Sequence, residues 1–207
     1  MRQAAQHGPI AEHASTAHSI VTGRKNMSRF RDIFATGKRF SAFVKEGLES
    51  EKLSAAGFAK KARRTGTFSA STLARLDQIE GSYHLLVAAE IWCPDCHINL
   101  AVMDFMCEAQ PNIELAIISK GRAENDLQES LGLERVLVPV VAVLNEAYEL
   151  IGTFVERPKV VQNDTTGQAV LRYRAGDHMD DTLQDLLTLM EQHERVHPVR
   201  ASGTLPG

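Results

Sequence analysis

Cysteine is scarce in this 207-residue chain, which carries only Cys93, Cys96 and Cys107. So low and odd a count excludes a small secreted scaffold stapled by disulfides, where dense, even cysteine usage is the rule. Long apolar runs are also missing. The longest, such as 136–144, fall far short of the ~20 residues that a membrane helix needs. The first thirty residues hold no apolar stretch of the about 7–15 residues typical of a signal peptide. Neither sign of charge dominates: the formal net charge is -3, which gives no electrostatic reason to expect a nucleic-acid partner. What remains is 43% hydrophobic and 24% charged residues, the composition of a folded globular protein. The expectation is a cytoplasmic protein with neither nucleic acid nor membrane as partner, built as one domain with an appendage.

Residues 1–27 are polar, rich in alanine and histidine, and read as a disordered tail, with Met27 as an alternative start. His7, His13 and His18 match no zinc-ligand spacing. Residues 28–81 read as a helical extension that packs on the domain beginning at residue 82. Phe30, Ile33 and Phe34 form one apolar face, Phe40, Phe43, Val44 and Leu48 a second, and Leu73, Leu76 and Ile79 a third. Thr65, Gly66 and Thr67 mark a break between them.

From Tyr83 the pattern changes to α/β over 82–194, ahead of a flexible tail at 195–207. Residues 83–92 (YHLLVAAEIW) read as a strand, followed by a helix to about Ala109 and a second strand at 113–119. A helix at 122–131 closes at Gly132, and strands at 138–144 and 148–154 are joined as a hairpin. Turn residues at 163–167 suggest an extra hairpin between Val160-Val161 and 170–173. Met179, Leu183, Leu186, Leu187 and Met190 define a final amphipathic helix. The order β-α-β-α-β-β-α predicts one α/β domain.

The chemistry centres on Cys93-Pro94-Asp95-Cys96-His97. A cysteine where a strand gives way to a helix meets free N–H groups and the positive end of the helix dipole, which stabilise a thiolate. Proline suits the first helical turn because its missing N–H is not needed there. Cys96, Leu100, Met103 and Cys107 lie on one helical stripe, so Cys93 is expected to face outward from the first turn, Cys96 to be shielded and Cys107 to be buried as a small hydrophobe. Four chemistries share this motif. A dithiol/disulfide couple needs the strand before it and the helix after it. Covalent haem attachment matches C-x-x-C-H but ordinarily follows export. Structural zinc needs four ligands, and no second pair of suitable spacing accompanies the motif, so no cofactor is expected. A purely structural cysteine pair leaves Trp92, Pro94 and Asp95 unexplained.

With Trp92-Cys93-Pro94-Asp95-Cys96 at a strand–helix junction and Val138-Pro139-Val140 opening a later strand, the chain resembles the thioredoxin-fold superfamily. More narrowly, it is similar to a bacterial thioredoxin-like group with a W-C-x-D-C site and an Arg-Pro after the last hairpin, here Arg157-Pro158. The match is best over 83–158. The resemblance implies a thioredoxin-like fold with an N-terminal helical extension. It also implies a cis bond before Pro139, with Val138 offering its backbone to an extended substrate beside the dithiol. A proline inside the run VLVPVVAVL is independently unusual, because a trans proline in a central strand loses a ladder hydrogen bond. Two departures stand out. Val87 occupies the place of the buried acid six positions before the first cysteine, with Glu90 a weak substitute, and the dipeptide between the cysteines is Pro-Asp.

The resulting expectation is a thiol–disulfide oxidoreductase acting in cell redox homeostasis, with Cys93 and Cys96 as its redox-active catalytic pair. Trp92, Val138 and Pro139 frame the substrate groove, and Pro94, Asp95 and His97 tune the couple. Asp95 should raise the Cys93 pKa by like-charge repulsion, which favours a reductant, whereas a protonated His97 would act oppositely. Expected partners are a disulfide-containing protein or a low-molecular-weight thiol, with thioredoxin reductase or glutathione as electron donor. The main rival is a binding, adaptor or redox-sensing module with little turnover, on which residues 28–80 dock a partner. A peroxide- or glutathione-linked enzyme of the same fold is a third reading, without an evident glutathione-contact pattern.

Overall fold

A computed structural model describes residues 27–198, so of the expected tails at 1–27 and 195–207 all but Met27, which begins the first helix, and 195–198, whose first two residues end the last helix, lie outside the described residues. Four helices come first: α1 (27–35), α2 (Phe40–Val44), α3 (Glu49–Ala62) and α4 (Ala70–Asp77). They are followed by β1 (Tyr83–Ala88), α5 (Pro94–Ala109), β2 (Ile113–Ile118) and α6 (Lys120–Asp126). The last elements are β3 (Val140–Asn145), β4 (Leu150–Val155), α7 (Lys159–Gln162), α8 (Gln168–Arg174) and α9 (Met179–Val196).

The sheet order is β2-β1-β3-β4, with β1 and β2 parallel and the other pairs antiparallel. Both central strands are buried on both faces, which is why they read as unbroken apolar runs rather than alternating ones. Alternate residues nevertheless serve two different cores. Leu85, Val87, Val141 and Val143 face α3, α5 and α9, whereas Leu86, Ala88, Val140 and Ala142 face Phe30, Ile33 and Phe34 of α1 and Leu127 beyond α6. The apolar face expected around Phe30 therefore packs on the sheet directly.

The free edge of β2 is covered by a one-residue bridge, in which Lys38 and Ile117 exchange both backbone hydrogen bonds at 2.8 Å. Gly37 makes this approach feasible, since a Cβ there would lie 2.7 Å from the Ala116 side chain. Gly66, at φ +85°, turns the chain between α3 and α4, where the break was expected. Leu48 departs from its expected face. It is exposed and serves as the N-cap position of α3.

The extra hairpin expected around 160–173 is not formed; α7 and α8 occupy that segment. Local chemistry accounts for the difference. Pro158 sets the start of α7, and the Asp164 carboxylate accepts hydrogen bonds from the Thr166 and Ala169 N–H groups, the latter in the first turn of α8. Gly167 supplies the left-handed turn between them, at φ +76°. Val161 and Tyr173 then reach the core from helices, and Tyr173 is fully buried.

Registry decides what meets the cysteines. Ala88, the last residue of β1, is paired with Val140, the first of β3, and the two strands run antiparallel. The chain leaving β1 toward Cys93 and the chain entering β3 through Val138 and Pro139 thus lie side by side at one end of the sheet.

Helix α9 closes the core with Leu183, Leu186, Leu187 and Met190, all without solvent exposure. Leu186→Ala is expected to cost about 2–5 kcal/mol, the usual penalty for a leucine-sized core cavity. A urea melt checks this, and a loss below about 1 kcal/mol would contradict the packing described.

Candidate functional site

Cys93 is the N-cap of α5 and Pro94 its first residue, as the missing proline N–H allows. The turn is closed by the Cys93 carbonyl, which accepts from the Cys96 N–H at 3.1 Å. Cys93 and Cys96 are both free thiols, and the Cys96 side chain hydrogen-bonds that of Cys93. Cys93 keeps 8% exposure and Cys96 none. The motif alone predicts an outward-facing Cys93; it sits instead in the floor of a groove.

That groove is a cavity of about 810 Å³, within the range of roughly 300–1,000 Å³ common for ligand sites. Trp92, 61% exposed, stands at Cys93, and Val136, Leu137 and Val138 line the groove across from it. The Val138–Pro139 peptide bond is cis, and the Cys93 thiol donates to the Val138 carbonyl at 3.5 Å. Part of the lining comes from outside the β-α-β-α-β-β-α frame. Ser54 and Phe58 belong to α3, and Arg174 to the end of α8. A second cavity, of about 720 Å³, lies at the opposite end of the sheet, between Tyr83 and His193, and no cysteine lines it.

The two sulfurs differ in acidity. Cys93 is lowered from 9.0 to about 7, chiefly because the Cys96 thiol donates a hydrogen bond that favours the thiolate. The Cys96 and Asp95 N–H groups add to this, while burial and the Asp95 charge oppose it. The like-charge effect expected of Asp95 is thus present but outweighed. Burial drives Cys96 far above the ordinary thiol range, and its bond to Cys93 pushes it the same way. Cys107 is only partly buried, because it lies near the end of α5. Burial and Asp104 nevertheless push its thiol up to about 12.

Asp95 is 8% exposed and bound to Arg157, with Nε 2.7 Å from Oδ2. His97 spends both ring nitrogens elsewhere: Nδ1 on Ser54 Oγ at 2.9 Å and Nε2 on the Ile91 carbonyl at 2.6 Å. It therefore ties α5 to α3 and to the loop before Cys93. Val87 is fully buried, and the Glu90 carboxylate accepts from the Lys120 N–H at 2.8 Å. Neither supplies a base to Cys96. Among the described residues, no cluster of three or more His, Cys, Asp or Glu side chains has the arrangement of a metal site. No helix among them is long and apolar enough to cross a membrane.

Sequence reasoning missed a polar network beneath the motif. The two Asn99 Nδ2 hydrogens are shared among the Asp95 carbonyl at 3.0 Å, the Glu156 carbonyl at 2.7 Å and the Tyr173 hydroxyl at 2.7 Å. Asn99 Oδ1 accepts from Thr182 at 2.9 Å. An asparagine in the apolar stretch HINLAVM, four residues after Asp95, was the available signal. Tyr173 could not be found while its segment was read as a strand.

A family model described as thioredoxin matches residues 37–169. A crystal structure of a protein of unknown function from Pseudomonas aeruginosa is 48% identical, with a TM-score of 0.75, over 78% of this chain and 96% of that one. A crystal structure of an HIV epitope-scaffold is 45% identical, with a TM-score of 0.74, over 78% of this chain and 97% of that one. No curated protein matches at a significant level.

Because only a thiolate is a nucleophile, Cys93 alone should be alkylated by iodoacetamide near neutrality, its rate rising with pH to half-maximum at about 7. Cys96 and Cys107 should remain unmodified at that pH in the folded protein. Peptide mapping after a pH series checks both. Equal labelling of Cys93 and Cys107 at pH 7 would contradict the asymmetry.

Proposed function

Because the chain belongs to the thioredoxin family, we propose that it is a thiol–disulfide oxidoreductase that reduces protein or small-molecule disulfides through Cys93 and Cys96. One observation carries this reading: a thiol at the floor of a groove beside the cis Val138–Pro139 bond, three residues from a second thiol with no exposure at all. A purely structural pair would have no use for such a difference.

The Cys93 thiolate attacks a substrate disulfide, forming a mixed disulfide and releasing one substrate sulfur as a thiolate, which takes up a proton. Cys96 gives up its proton and attacks the Cys93 sulfur. The mixed disulfide breaks, the second substrate thiol leaves protonated, and a Cys93–Cys96 disulfide remains. Two electrons pass to the substrate. Burial holds Cys96 protonated while Cys93 is free, and the departing substrate thiolate is the base at hand, since Val87 and Glu90 offer none. Trp92, Val138 and Pro139 frame the substrate chain, and the Val138 carbonyl, which accepts from the Cys93 thiol at 3.5 Å before it ionises, marks how near that strand lies to the reacting sulfur. Pro94 and Asp95 tune the couple. His97 contributes by holding the loop before Cys93 through Ile91.

The direction follows from acidity. A C-x-x-C nucleophile near about 7 goes with reductants, whereas strong oxidants have values of about 3.5. The Cys93 value of about 7 supports reduction. A thioredoxin reductase or glutathione in the cytoplasm would then return the oxidised pair to the dithiol. The W-C-P-D-C site and Arg157-Pro158 support membership of the bacterial thioredoxin-like group with a W-C-x-D-C site.

Insulin reduction driven by dithiothreitol tests the proposal. The protein is expected to accelerate it, Cys93→Ser to return it to the rate of dithiothreitol alone, and Cys96→Ser to accumulate mixed disulfides with the substrate. No acceleration by the intact protein would favour an adaptor or redox-sensing role, and full activity in Cys93→Ser would overturn the mechanism.

A further inference from the structure

An acidic side chain between two cysteines opposes the ionisation of the first, yet here the first cysteine is the acidic one. The charged and titratable groups around the groove are few. Helix α5 brings Asp95 and Cys96, the corner between β4 and α7 brings Glu156 and Arg157, α8 brings Arg174, and the start of α6 brings Lys120. Helix α3 contributes only Ser54 and Phe58 to the lining. Of these groups, Arg157 is the one in direct contact with the Asp95 carboxylate.

The placement of Arg157 is heavily specified. Its backbone N–H donates to the Val155 carbonyl at 2.7 Å, in a tight turn that puts Glu156 at φ +54°. That conformation is uncommon outside glycine. The turn is held from two sides. Asn99 captures the Glu156 carbonyl from α5, and Gln162 of α7 donates to the Val155 carbonyl at 2.8 Å. The guanidinium carbon lies 6.0 Å from the centre of the Tyr173 ring in α8, within cation–π range. Asn99 joins the Asp95 carbonyl, the Glu156 carbonyl and the Tyr173 hydroxyl, so the backbones bearing both members of the ion pair are tied to one side chain.

We propose that Arg157, fixed by the α7–α8 insertion, is a positioning residue that engages the Asp95 carboxylate and keeps its charge from suppressing ionisation of the Cys93 sulfur. This rests on Cys93 being the reactive sulfur. Its test is read on the reduced protein without substrate, so it stands or falls separately from disulfide turnover.

The test uses the full chain as Arg157→Gln, Asp95→Asn and the double variant, with folding checked by circular dichroism. Cys93 ionisation is followed by the iodoacetamide rate against pH and by thiolate absorbance. Arg157→Gln is expected to slow alkylation at pH 7 about fivefold, the loss of thiolate when a pKa of about 7 moves to about 8. Asp95→Asn is expected to move the midpoint to lower pH. In the Asp95→Asn background, Arg157→Gln should produce no comparable slowing. Arg157→Lys keeps the charge but not the planar fork, and should fall between the wild type and Arg157→Gln. An unchanged midpoint in Arg157→Gln would overturn the proposal, as would equal slowing by Arg157→Gln with and without Asp95. Should Arg157→Gln not fold, Arg157→Lys in the two Asp95 backgrounds makes the same comparison, and equal slowing in both would overturn the proposal.

Discussion

A single hydrogen bond, from the Cys96 thiol to the Cys93 sulfur, sets the character of the candidate site. It joins two chemically identical groups and makes them unequal, lowering the acceptor's pKa and raising the donor's. Such a bond needs one sulfur at the head of a helix and the other on the first turn, facing the core. A strand that ends at Ala88 and a helix that begins at Pro94 meet that requirement. Backbone N–H groups of the first turn add to the effect, as expected at a helix N-terminus. The groove residues matter because they leave one of these sulfurs within reach and cover the other.

The fold was legible wherever period and length agreed. Residues 94–109 read as a helix from an N-terminal proline and a sustained apolar face, and 113–118 as a strand from an apolar run between turn residues. The motif and its later proline were legible together because registry between β1 and β3 brings Ala88 to Val140. Residues 160–173 were not legible. Two short valine-containing runs flanking Asp164 and Gly167 fit a hairpin as well as two helices. The choice was made by hydrogen bonds that the Asp164 carboxylate accepts from the N–H groups of Thr166, just before α8, and Ala169, in its first turn, which strand propensity does not capture. The contacts of His97 were not legible either. Sequence adjacency to Cys96 suggested an electrostatic partner, but one turn of helix aims its ring at Ser54 and Ile91.

Electrostatics at the site could not be read from neighbours in the sequence. Asp95 adjoins both cysteines, and its charge does oppose both thiolates. Its principal contact is Arg157, sixty-two positions away, at 2.7 Å. Because the carboxylate side chain is 11% exposed and the guanidinium 30%, water screens the pair less than a surface pair, and its geometry carries more weight. The sign of a local effect was correct, and its size depended on the fold.

Two additions to the sheet converge on the groove from opposite directions. Helix α3 supplies Ser54 and Phe58, and Ser54 is bound to His97, whose other nitrogen holds the loop leading to Cys93. Helix α8 supplies Arg174 to the rim and Tyr173 to the network beneath Asp95. Neither addition contributes a thiol, yet each is hydrogen-bonded to the segment carrying Cys93 or to the turn of α5 that comes after it. A bare strand–helix junction would leave its first cysteine on an open surface. Here the same junction is flanked by side chains of α3 and α8, and the sulfur lies at the bottom of the groove they line. The helices before the sheet and the insertion after it are therefore part of the site's geometry, and the thiol chemistry is coupled to their packing.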